Sequence, residues 1–99
     1  MIPDNMPITK LASAIGIPFA DIDVALASVP TEARTNQRIY YLGLALPAIR
    51  AYYHKRLTEH MDRYRETNKH VYLERAQRMS ARGKAAKALE DKWRAQSYE

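Results

Sequence analysis

The chain has 99 residues, with sixteen Lys or Arg against eleven Asp or Glu and no cysteine. That length suits one domain with a modest core and leaves no room for a deep enzyme cleft beside it. The lack of thiols excludes a disulfide framework and a thiolate zinc site.

Charge is unevenly spread: residues 1–46 carry a net −1 and residues 47–99 a net +6. A basic half beside a nearly neutral one points to a polyanionic partner, nucleic acid before membrane. The N-terminus has no basic segment followed by an apolar run, and no apolar stretch approaches the ~20 residues needed to span a bilayer. A cytoplasmic protein without membrane contact is expected.

In chain order, residues 1–7 contain Pro3 and Pro7 and little that packs, so a flexible arm is expected. Leu11, Ala14 and Ile15 then recur at helical spacing, and Gly16 supplies a left-handed helix end. Pro18 fits the first turn of a second helix, whose apolar stripe is Phe19, Ile22, Ala25 and Leu26. Two helices at about 8–15 and 18–28, joined by a short Gly-containing break, give the sequence image of a helix-turn-helix. A plain helical hairpin shares that pattern. Val29-Pro30 ends the second helix.

Residues 31–38 are polar and feed the β-prone run Ile39-Tyr40-Tyr41-Leu42. The layout predicts a small hairpin wing, with a partner strand near 28–31. Gly43 breaks the strand, and Pro47 is expected to open a helix running to about Thr67, with Ile49, Tyr52, Tyr53, Leu57, Met61 and Tyr64 as its stripe. Asn68 is a plausible C-cap. Residues 69–99 read as a basic C-terminal helix. Tyr72 and Met79, then Ala86 and Trp93, fall a heptad apart, which allows a homodimer through this helix. The fold expected is therefore mainly α: a flexible arm over 1–7, a winged helix-turn-helix over 8–68, and the long helix over 69–99.

Catalysis finds little support. His54 and His60 are six apart and share no metal-binding face, Asp21 and Asp23 form no dyad, and no phosphate loop or nucleophile motif occurs. No enzyme activity, cofactor or metal is expected. Double-stranded DNA is the better partner. Phosphates need cations, and grooves need Arg, Asn or Gln on a projecting tip. Arg34, Thr35, Asn36, Gln37 and Arg38 supply that tip, while Lys10, Arg50, Lys55 and Arg56 are candidates for the DNA backbone. Tyr40, Tyr41, Tyr52 and Tyr53 read as core rather than as a base-stacking set. The second helix departs from a simple reading helix. It carries Asp21 and Asp23, and no cation occurs between Leu11 and Ala33.

The run KLASAIGIPFADIDVALAS, a short basic loop, and RIYYLGLALPAIRAYYHKR resemble the winged helix-turn-helix of phage terminase small subunits, an outline shared with excisionases and MerR-type regulators. Leu11, Ala12 and Gly16 match the helix pair, Arg38 and Tyr40 the end of the wing, and Ile49, Arg50 and Tyr52 the following helix. The resemblance covers about residues 8–56. It implies a dimeric or larger phage or mobile-element protein in the host cytoplasm that binds DNA. Its role would be to initiate genome packaging with a large terminase ATPase subunit, or to act in excision or transcription regulation. The alternative is a protein-binding module, a small inhibitor or assembly factor that reuses the shape. A structural RNA-binding peptide is a third possibility.

Overall fold

The computed structural model describes residues 1–34 and 37–96, leaving out the side chains of Ala33 and Arg34. Strand β1 (Asn5–Pro7) leads into α1 (Ile8–Ile15) and α2 (Phe19–Ala25). Strands β2 (Glu32–Arg34) and β3 (Gln37–Tyr41) follow, then α3 (Leu42–Thr67) and α4 (His70–Ala95). The fold is mainly helical with one small antiparallel sheet, ordered β1-β3-β2.

Local signals place most boundaries. Gly16 adopts φ 78°, a left-handed turn, and its N–H donates to Ala12 O at 2.8 Å, closing α1. Pro18 sits just ahead of α2 in extended conformation, one residue earlier than expected. Asn68, at φ 55°, ends α3 with its N–H on Tyr64 O at 2.8 Å. The polypeptide then turns back into α4.

Four expectations need correction. The arm is not loose, because β1 pairs with β3 in the register Asn5 to Tyr41 and Pro7 to Ile39. Leu42 N–H donates to Asp4 O at 2.9 Å, and the Ile2 backbone exchanges hydrogen bonds with the Gln96 amide at 2.6 and 2.8 Å. The partner strand lies at Glu32–Arg34 rather than 28–31, with Glu32 opposite Ile39 and Arg34 opposite Gln37. The second helix stops at Ala25 and turns through Leu26 to Ser28 before Pro30 is reached. Pro47 lies inside α3, which begins five residues earlier at Leu42. The helix tolerates it there at the loss of one ladder bond to Gly43 O, because the surrounding turns are held by buried Leu42, Ala45, Leu46 and Ile49.

These four residues and Tyr53 form one stripe at i, i+3, i+4 spacing. They close the core against Ile8, Leu11 and Ile15 of α1, Ile22 and Leu26 from the α2 region, and Tyr40 of β3. Helix α4 runs back along α3. Ala76, Met79 and Ala86 are buried. The heptad positions Met79 and Ala86 are thus consumed within the chain rather than left as a seam. Trp93 packs edge-on against Tyr41 with ring centroids 5.7 Å apart, and its indole N–H donates to Asp4 Oδ1 at 3.0 Å. Among the described residues no helix is long and apolar enough to cross a membrane.

Candidate nucleic-acid interface

Helix α2 is tied to three other elements by its two carboxylates. Asp21 Oδ2 accepts from Arg82 Nη1 of α4 at 2.9 Å and from the Tyr53 hydroxyl of α3 at 3.1 Å, while Arg56 Nη1 lies 4.0 Å from Oδ1. Burial, with the Asp21 charge beside it, pushes the Tyr53 hydroxyl well above the usual phenol range. Asp23 accepts from Arg38 Nη2 of β3 at 2.5 Å, which raises that guanidinium further. The acidic character of α2 is therefore compensated from within the chain. Its remaining outer surface is apolar, with Phe19 47% and Val24 61% exposed.

The hairpin β2–β3 follows directly, with Arg34 opposite Gln37 in the ladder. Thr35, Asn36 and the Arg34 side chain lie outside the described residues. Thr31 Oγ1 donates to Ile39 O at 2.8 Å and fastens the open end of the hairpin. Gln37 is exposed and Arg38 half-buried.

The predicted set is only partly brought together. Arg38 and Arg56 both flank α2, each engaged with one of its carboxylates. Arg56 also donates to the Tyr52 hydroxyl at 2.7 Å, the main cause of its raised pKa. Lys10 on α1 and Lys55 on α3 are exposed, with no carboxylate partner among the described residues. Arg50 does not join the group. It donates to Glu90 Oε1 at 2.8 Å in the seam between α3 and α4, on a shallow groove shared with His54, Lys84 and Lys87. Glu90 is 4% exposed, so this arginine serves first as counter-ion to a buried carboxylate. Sequence reasoning missed Arg82, whose partner lies 61 positions away and leaves no local signal. Tyr40 and Tyr53 are core, as expected, while Tyr41 stays 47% exposed.

Among the described residues no cluster of His, Asp or Glu is placed to hold a metal ion. No family model matches the chain, and neither the curated proteins nor the solved structures give a match.

Proposed function

We propose that this chain binds double-stranded DNA as a winged helix-turn-helix, with α1 and α2 as the helix pair and β2–β3 as the wing. One observation carries the reading. The hairpin follows the helix pair directly and is latched to α2 through Arg38 and Asp23. Its connecting segment, residues 34–37, reads Arg-Thr-Asn-Gln, the donors that a groove accepts. Helix α2 contributes Phe19, Ala20 and Val24, which suit thymine methyls better than phosphates. Lys10, Arg34, Arg38, Lys55 and Arg56 supply the cations for the backbone. The resemblance to terminase small subunits supports a role in packaging initiation, with excisionase-type or transcriptional regulation beside it. A homodimer through α4 would have to use its outer face, since Met79 and Ala86 are already covered.

Fluorescence anisotropy with a random duplex tests this. Log K should fall linearly with log salt at ~0.9 per neutralised phosphate, and Arg34→Ala with Arg38→Ala should lower both affinity and slope. Absence of binding at low salt would overturn the reading. The exposed apolar face of α2 favours a second reading, a protein-binding module. In that case Phe19→Ala with Val24→Ala abolishes partner binding, and the arginine changes are silent.

A further inference from the structure

Among the described residues six arginines face a carboxylate: Arg38 faces Asp23, Arg50 and Arg94 face Glu90, Arg56 and Arg82 face Asp21, and Arg65 faces Asp62. Two arginines that line one depression on the α3–α4 hairpin break that pattern. Arg63 and Arg75 have no carboxylate partner among the described residues, and together with Glu59, His60 and Tyr72 they line a depression between the two helices. The guanidinium of Arg75 lies over the Tyr72 ring at 5.6 Å, and that of Arg56 over the Tyr52 ring at 5.6 Å. A ring beneath a guanidinium fixes its plane and leaves N–H edges free to donate, which lowers the ordering cost of meeting an oxyanion.

We propose that His60, Arg63 and Arg75, with Arg56 at the inner end, form a phosphate-binding site on the α3–α4 hairpin that nucleic-acid backbone occupies beyond the helix pair. Arg56 Nη1 also lies 4.0 Å from Asp21 Oδ1, which links this end of the site to α2. The assignment of the phosphate to DNA rests on the proposed DNA-binding function; the phosphate chemistry does not. Burial and three charged groups act on His60. Burial, Arg56 on its own helix and Arg75 from the facing one hold it below the usual imidazole range, and only Glu59 acts in the other direction. An oxyanion placed among these cations reverses that balance and favours the protonated ring. Among the described residues that line the depression Glu59 is the one carboxylate, and it opposes the ligand.

Two measurements on the full chain test the site. In the first, the His60 ring is followed by NMR across pH with and without inorganic phosphate, its signal assigned through His60→Gln. The His60 pKa should rise with phosphate, and Glu59→Gln should strengthen the effect. In the second, the salt dependence of duplex binding is compared between the parent and Arg63→Gln with Arg75→Gln, both exposed positions, after thermal melting has shown equal stability. Two lost phosphate contacts should lower the slope by about 1.8. A lower slope together with the His60 response supports the proposal in full. A His60 response without duplex binding by the parent chain keeps a site for small phosphates and sinks the DNA-binding function. An unchanged slope in a parent that does bind duplex, with an unresponsive His60, overturns the proposal.

Discussion

Asp21 Oδ2 and Arg82 Nη1 lie 2.9 Å apart and join α2 to α4 across 61 positions of sequence. Their side chains are 19% and 24% exposed, so water screens the pair only partly. The same carboxylate takes the Tyr53 hydroxyl. Arg82→Ala should cost about 1–2 kcal/mol, the range for a charge-assisted bond lost from a partly buried site. That corresponds to roughly 4–16 °C of melting temperature in a domain this size. Asp21→Ala should cost more, because it leaves both Tyr53 and Arg82 without their acceptor. Thermal melts of the two variants check the order.

Tyr53 gives this site a pH signature. Its hydroxyl is held above the ordinary phenol value by burial first and by Asp21 second. The folded chain therefore keeps its proton at a pH where the unfolded chain, titrating near 10, gives it up. The stability tied to neutral Tyr53 is fully present below pH 10 and is lost as pH rises above it. Tyr53→Phe should flatten that alkaline loss while lowering stability at neutral pH by about 1 kcal/mol for the missing hydrogen bond. Urea midpoints measured from pH 8 to 11 decide the matter.

Much of this architecture is written locally. Gly16 and Asn68 mark helix ends because few other residues accept a left-handed backbone, and the helical spacing from Ile49 on announces the face on which Ile49 and Tyr53 are buried, though not the turn from Leu42 to Leu46 ahead of it. The sheet is less legible, because β1 is three residues long and contains Pro7, which argues against a strand unless the edge position is known. The hub at Asp21 is not legible at all. A carboxylate on a short helix reads as a repeller of phosphate until Arg56 and Arg82 are brought to it by helices that begin 21 and 49 positions later. Heptad spacing on α4 misleads for a similar reason, since it reports burial without naming the neighbour.

The two helical glycines should respond in opposite directions. A Cβ on Gly83 meets Tyr53 Cβ at 3.6 Å, an ordinary contact, so Gly83→Ala should stabilise by about 0.5–1 kcal/mol through helix propensity. A Cβ on Gly43 would fall 2.8 Å from Tyr41 Cζ. The ring must swing away and give up its edge contact with Trp93, which is worth about 0.5–1 kcal/mol. Trp93 is the single tryptophan, so its emission should shift in the Gly43→Ala variant and stay fixed in Gly83→Ala.

Arg50 should behave as a structural cation. Glu90 is buried and its Oε2 has no hydrogen-bond partner among the described residues, so removing Arg50 deprives the carboxylate of its closest neighbour, with Arg94 Nε farther off at 3.7 Å. Arg50→Ala should destabilise by about 1–3 kcal/mol. Glu90→Gln should cost less, because the neutral amide needs no counter-ion. Restoration of stability when Glu90→Leu is added to Arg50→Ala would confirm that the pair, not the arginine alone, is at stake.

Asp23 offers the sharpest test of how the acidic helix and the basic hairpin cooperate. Its carboxylate is 48% exposed and holds Arg38, itself 39% exposed, at the junction of α2 and β3. A pair this open contributes little to stability, so Asp23→Asn should leave the melting temperature within about 2–3 °C of the parent. Its effect on a polyanion should be larger. The change removes a negative charge from the helix proposed to face DNA and releases Arg38 from a carboxylate that competes with phosphate, so affinity should rise and the salt slope should steepen by up to about one phosphate. Arg38→Gln placed on top of Asp23→Asn should cancel the gain in slope. A variant that binds duplex no better than the parent would place α2 and the hairpin away from the nucleic acid. The apolar pair Phe19 and Val24 would then be the face to probe for a protein partner.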